Sequence, residues 1–590
     1  MNDKWDLSRI YKDEDSFLND LKYVKETLIP KIASLEGKLS TEEGFKTYLD
    51  TEREATIVIS RLATFASMRS DLDKRNVENA SDNSKVHMMY SEYASASSFV
   101  SPEILKLGKE YTDKFFEKNP SYKDFDFEFE KLFRTQKFVL PANEEKLLSY
   151  GAMLSSAGSN LYSQLSVSDY IPKKVTLSDG SEVEVNQANW TTLVSNAKCE
   201  EDRRIIFESL YSYYDEHKNT YGEIYNVVVQ NQLAEMKQRG YSSILEEHLY
   251  RNNIPEAVFH NLIEVASENA APLHKYLELR RKYLGLEEYH TYDRFAQLAK
   301  SEKAYTYEQA KELFFDSIKK FPADFQEKAH KVSSDGYVDV YHQPGKRTGA
   351  YSSGGENIPP YILLNFNGEL EDVFTLAHES GHSIHTMYAE EAQPVVKQGY
   401  TIFVAEIAST FNEHNLLDYL MESGTLSKND KIALLQKAID QIVSTFYRQT
   451  LFGHYEYNIS KLAEEGKPIN YQVLNNEMIS LYKTYYGIDI SKEKVKQFVW
   501  AYIPHLFYTP FYVYQYATSY TASMLIYENV KKGKPHAFEN YISMLKAGGS
   551  TYPIDEVKLG GVDLTTKEPF MAVIDRMTKL VDELEKVLAE

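Results

Sequence analysis

Cysteine is nearly absent from this chain: Cys199 is the single one in 590 residues. One thiol builds neither an intrachain disulfide framework nor a thiolate metal cluster, and it fits a reducing compartment. Glycine and proline are scarce too, at 26 and 18 residues, well under their usual joint share of about 12%, which favours long helices. No run approaches the 18 or so apolar residues of a membrane-spanning helix. The N-terminal stretch MNDKWDLSRIYKDEDSFLNDL lacks the apolar core of an export signal. Blocks of basic charge are missing as well, and the net charge is −21. That balance argues against nucleic acid or an anionic membrane surface as a partner. A cytoplasmic protein is expected.

The residues that are present alternate apolar and charged positions at helical spacing over most of the length. Phe17, Leu18, Leu21, Val24 and Leu28, then Ile57, Ile59, Leu62 and Phe65, mark a helical lobe near the start. One hairpin stands out, with Val175–Leu177 and Val183–Val185 on either side of Asp179-Gly180. Two further strands are expected at Tyr337–His342 and Tyr361–Phe366, flanking a glycine-rich segment. The sequence therefore predicts a mainly α protein of more than one domain or lobe, with a boundary near residue 200: an N-terminal helical lobe over 1–200 with a hairpin near 175–185, and a second region over 201–590. A small sheet is expected beside the helix described next, with its Tyr361–Phe366 strand able to pair with an extended peptide if it lies at the edge.

That helix carries FTLAHESGHSIH, Phe374 to His385. His-Glu-x-x-His on a helix puts His378 and His382 one turn apart on one face, where two imidazoles can share a metal ion. Glu379 beside them is placed as the general base of a metal-assisted hydrolysis. Asn365-Phe366-Asn367-Gly368 supplies a stop before the helix, and Glu369, Glu371 and Asp372 put negative charge at its N-terminus. Catalytic zinc takes three protein ligands and an open fourth position. Glu406, 24 residues after His382 in a second helical segment, is the candidate third ligand, and Glu413, about two turns further on, could hydrogen-bond a ligand. His385 sits about 10 Å along the axis from His378, too far to share its ion, and is read as supporting a ligand or facing substrate. His₂Glu suits one Zn²⁺ per chain, although cobalt or manganese fits the same ligands.

Downstream, Ala501–Tyr520 reads AYIPHLFYTPFYVYQYATSY, with six tyrosines and His505 in twenty residues. Phenol and imidazole donors are what a hydrolase needs to stabilise an oxyanion.

The strings HESGHSIH (378–385), FVAEIASTFNEH (403–414), PGKRTGAYS (344–352) and IPHLFYTPFYVYQYATS (503–519) resemble the oligoendopeptidase F group of thimet-oligopeptidase-like zinc metallopeptidases. WDLSRIY near the start and LGGVDLTTKEPF (559–570) extend the likeness over nearly the whole chain. The resemblance implies a two-lobed, mainly helical, zincin-type fold with a deep internal channel that admits short unfolded peptides. It makes region 201–590 a catalytic zinc metallopeptidase domain. By position it implies His378, His382 and Glu406 as zinc ligands, Glu379 as base, and His505 and Tyr514 as stabilisers of the transition state. Tyr508, Tyr512 and His385 are implied or expected to contact substrate. The expected activity is hydrolysis of internal peptide bonds in short peptides by Glu-assisted attack of a zinc-bound water. A metal-dependent hydrolase of a small non-peptide amide or ester, and a helical peptide-binding protein with a structural metal, are the competing readings.

Overall fold

The computed structural model describes residues 3–300, 303–424 and 426–590. Helices dominate, as the shortage of glycine and proline leads one to expect, and two small sheets are present among the described residues. The chain forms two compact units, each assembled from three segments: 1–137, 302–422 and 526–562 in the first, and 138–301, 423–525 and 563–590 in the second. This partition differs from the expected single boundary near residue 200. Compactness follows which helices pack together, and here elements distant in sequence complete each unit.

In the second unit, β1 (Lys173–Thr176) and β2 (Glu182–Val185) form the expected antiparallel hairpin, with Val175 opposite Val183. Gly180 takes φ +82° in its turn, a conformation glycine adopts without a Cβ penalty. The core of this unit is rich in phenol rings, with Tyr211, Tyr214, Tyr221, Tyr276, Tyr447, Tyr455 and Tyr485 fully enclosed.

The first unit holds the second sheet: β3 (Val338–Tyr341), β4 (Tyr351–Gly355) and β5 (Ile358–Phe366), in the order β3-β5-β4. β5 runs parallel to β3 and antiparallel to β4. The expected Tyr361–Phe366 strand is thus central, not an edge. β4 lies within the glycine-rich segment that the sequence suggested only as a connection; Glu356 and Asn357, at φ +54° and +69°, turn it back onto β5. The N-terminal WDLSRIY run is tied to this sheet through the Trp5 indole, which donates to the Ile362 carbonyl at 2.8 Å. Trp5 and the Phe17, Leu49 and Leu62 side chains share one core with Tyr361 and Leu363.

After β5 the chain stops at Asn367-Gly368 and enters the helix Leu370–Ala392. Its entry is capped reciprocally by Glu369 and Asp372, and one Asp372 oxygen accepts from the amides of Gly368 and Glu369, each at 2.9 Å. Those are donors the helix itself leaves unpaired. Val373, Phe374, Leu376, Ala377 and Ile384 are buried on it, each fully enclosed large side chain contributing about 1.5–3 kcal/mol. The helix ends before Gln393-Pro394, where proline disfavours continuation. The chain then forms the helix Ile402–Glu422.

Candidate metal centre

Two helices position this site, and a glycine sets how close they come. A Cβ at Gly381 would meet the Ala408 carbonyl oxygen and lie 2.6 Å from the Ser409 Cα, so only glycine fits where Leu370–Ala392 crosses Ile402–Glu422. The Asn412 amide bridges the same helices, donating to the Ala377 carbonyl at 3.0 Å. With the backbones held this close, Glu406 reaches the two histidines.

The His378 Nε2 and His382 Nε2 atoms lie 3.2 Å apart, and Glu406 Oε2 lies 3.4 Å and 3.5 Å from them. Ligand atoms set tetrahedrally about 2.1 Å from a zinc ion stand about 3.4 Å from one another. The three donors fit such an ion. Their outer contacts are of the kind that orient metal ligands. His378 Nδ1 hydrogen-bonds Glu413 Oε1, and Ser409 Oγ donates to Glu406 Oε2 at 2.8 Å. Burial works against a charged Glu406, but the two imidazoles and Ser409 outweigh it and hold the carboxyl down to about 2.

Glu379 is 6% exposed, and its Oε2 atom is buried without a partner. Burial pushes its carboxyl up to about 7, with Glu406 and Glu413 adding to the rise; the His378 charge and the Ser352 backbone amide of β4 oppose it. β4 is further tied to this helix by the Ser352 and Ser383 hydroxyls, 2.8 Å apart.

His385 departs from expectation. It is 0% exposed, stacked on Tyr400 with ring centroids 3.7 Å apart, and its Nε2 lies 3.9 Å from Glu556. A ring with no exposed surface does not face substrate. It packs the loop before Glu406 against the histidine helix.

In the second unit, the expected residues of the aromatic stretch separate. His505 is half-buried and forms a ring group with Tyr512, at 6.0 Å, and Tyr516, at 6.3 Å. Burial and the neighbouring Arg448 charge lower the His505 proton affinity. Tyr508 is 44% exposed. Tyr514, expected to act with His505, is instead 3% exposed and sits edge-on to Phe259, its Cβ beside Gly453. In its place stands Tyr516, to which the sequence reading assigned no role. Tyr514 and Tyr516 both lie on the helix Tyr514–Lys531, and two residues along a helix turn them about 200° apart.

A second histidine–carboxylate group, Glu200, His290 and Asp293, is of another kind. Asp293 already pairs with buried Arg203 at 2.8 Å and caps the His290 amide, so its charge is spent inside the protein.

Residues 193–576 match the family model for peptidase family M3, and residues 103–170 match that for oligopeptidase F. The chain belongs to peptidase family M3. Among M3 relatives, oligopeptidase PepF of Bacillus subtilis is 34% identical, covering 99% of this chain and 87% of that protein. The group B oligopeptidase PepB of Streptococcus agalactiae is 30% identical, over 100% and 97%. A Chlamydophila abortus crystal structure superposes with a TM-score of 0.91 at 31% identity, covering 99% of this chain and 98% of that one. Oligoendopeptidase-F from Enterococcus faecium does so at 0.76 and 25%, covering 98% and 99%. The expected oligoendopeptidase F resemblance, the mainly α zincin-type fold and the metalloendopeptidase class are therefore borne out. No helix among the described residues is long and apolar enough to cross a membrane.

Proposed function

We propose that this M3 peptidase is a zinc-dependent endopeptidase of short, unfolded oligopeptides, with one ion per chain. The observation that carries the reading is the convergence of His378 Nε2, His382 Nε2 and Glu406 Oε2 at separations suited to one ion, beside a carboxylate with an unpartnered oxygen. When bound there, zinc supplies Lewis acidity toward a water and a carbonyl oxygen. Glu379 takes the proton from the attacking water and returns it to the departing amine. Glu413 holds His378 in the orientation that presents Nε2. β4 pairs on one side with β5, and its other edge offers main-chain groups to an extended substrate, a mode that tolerates varied side chains. His505, Tyr512 and Tyr516 carry donors of the kind that stabilise an oxyanion, and in this reading they serve the same reaction. The single cysteine suits a reducing compartment, so the cytoplasm is proposed as its location.

The test uses an internally quenched peptide of about eight residues, with phenanthroline and then added zinc. Internal cleavage, abolished by the chelator and restored by zinc, is expected. Glu379→Gln should keep its zinc, measured by metal analysis, and lose about 10²–10⁴-fold in kcat. Zinc-loaded protein that cleaves no member of a diverse peptide set would sink the reading, and an active Glu379→Gln enzyme would remove Glu379 from its role.

A further inference from the structure

Strand β4 meets the histidine helix through a pair of hydroxyls. The Ser352 and Ser383 Oγ atoms lie 2.8 Å apart, and Ser383 is fully buried on Leu370–Ala392. A serine or threonine inside a helix commonly donates to the carbonyl one turn back, as Thr375 does to Glu371 at 3.0 Å and Thr410 to Glu406 at 2.5 Å. For Ser383 that carbonyl belongs to Glu379, and among the described residues its hydroxyl pairs with the strand instead. Four residues apart on one helix, Glu379 and Ser383 share a face, turned by about 40° and about 6 Å apart along the axis. A strand held at Ser383 therefore lies beside the carboxylate read as the general base, whose Oε2 is buried without a partner.

The rest of β4 is tied to other elements of the same unit. Side chains alternate along a strand, so Tyr351 points away from Ser352. Its hydroxyl donates to Asp71 Oδ2 at 2.9 Å, and its ring lies 6.1 Å from that of Trp5. Asp71, 1% exposed near the end of the helix Glu42–Leu72, is held in turn by Lys74 at 2.5 Å and Arg347 at 3.2 Å. On its paired edge β4 is fixed to β5, with Ser352 opposite Ile362. Replacing both partners of a buried hydrogen bond by apolar groups is nearly neutral for stability. The serine pair therefore adds little to the strength of the fold; what it adds is direction, a fixed register between the strand and the helix that carries Glu379.

We propose that Ser383 and Ser352 are positioning residues for the reaction: their hydroxyl pair registers β4 on the histidine helix and so sets the orientation of the Glu379 carboxylate toward the attacking water. The proposal rests on the peptidase reading above for the role of Glu379. A base acts only within hydrogen-bond reach of the proton it takes, and a displacement of about 1 Å costs up to about 10²-fold in rate.

The experiment takes Ser383→Ala, Ser352→Ala and the double variant, each checked for a wild-type melting curve and zinc content, through steady-state kinetics on one quenched octapeptide. Each single variant should lose about tenfold in kcat with KM within about twofold of wild type. Because the two hydroxyls act as one contact, the double variant should lose no more than either single one. Ser352→Ala, on the half-buried strand, carries the test if Ser383→Ala melts early. Amide hydrogen exchange followed by mass spectrometry reads the register without turnover: residues 351–355 should exchange faster in Ser383→Ala than in wild type. Unchanged kcat, a raised KM at wild-type kcat, losses that multiply in the double variant, or unchanged exchange would each overturn the proposal. A raised KM alone would mean that the pair shapes only an edge for substrate. If wild-type protein cleaves no peptide, the peptidase reading fails. Exchange then decides the positioning of β4 by itself, faster exchange in Ser383→Ala upholding it and unchanged exchange overturning it.

Discussion

At the scale of single residues, what matters is which side of an element a functional group faces. Tyr512, Tyr514 and Tyr516 are alternating phenols in one short stretch, and a helix rotates each residue by about 100° from the last, so Tyr514 and Tyr516 point to nearly opposite sides. Tyr516 stands in the ring group with His505, whereas Tyr514 packs on Phe259. Tyr516→Phe is therefore expected to lower kcat by about 10²-fold with little change in KM, while Tyr514→Phe stays close to wild type. Steady-state kinetics on both variants with one quenched peptide checks this, and the reverse order would return the role to Tyr514. His378, Glu379 and His382 were legible in the sequence because i, i+4 spacing on one helix fixes direction, and Glu406 because three protein ligands are the rule for catalytic zinc. The alternating tyrosines were not, because their stretch is broken by Pro510 and by Phe511 at φ +55°.

At the scale of elements, two contacts hold the functional segments in place. The first is Gly381 against Ala408 and Ser409. Gly381→Ala adds a methyl where backbone already stands, so the helices must separate. A loss of about 1–3 kcal/mol of stability is expected, together with weakened zinc retention, measured by chelator competition and urea unfolding. Unchanged zinc affinity would show that the helices tolerate the added methyl. The second is Glu456 on the helix Arg448–Glu464, whose Oε1 accepts from the Phe511 amide at 2.8 Å. This anchors a left-handed non-glycine residue that costs of order 1–3 kcal/mol, just before Tyr512. Burial raises Glu456 from its ordinary 4.5 to about 8. Below 4.5 it is protonated whether folded or unfolded; between 4.5 and 8 only the folded state keeps the proton. This group therefore removes stability as pH rises through that window, by at most about 1.4 kcal/mol per pH unit. Glu456→Gln keeps the acceptor and should flatten the fall, seen as a growing stability advantage from pH 5 to pH 8. Parallel profiles for the two proteins would contradict the assignment. Element boundaries were legible where caps are strong, as at Asn367-Gly368 and Asp372. β4 was missed because Ser352-Ser353-Gly354-Gly355 has little strand propensity of its own and is extended by pairing with β5.

At the scale of the whole molecule, the helical character and the hairpin were legible from composition and alternation, but the partition was not. Each compact unit draws on three segments, so fragments 1–200 and 201–590 each carry parts of both units and all of neither. Expressed separately, they are expected to lack the cooperative thermal transition of the intact chain, followed by circular dichroism. Two fragments that each melt cooperatively would restore the boundary near residue 200.

What the sequence determined by itself is what short-range geometry controls: a helix with two imidazoles one turn apart, a carboxylate beside them, and family membership spread along the chain. Only the tertiary structure decided what depends on meetings between distant segments. It buried His385 under Tyr400 and set Tyr516, not Tyr514, in the ring group with His505. Spacing along one element fixes direction within that element. Packing between elements fixes which of those directions lead to solvent and which to a partner.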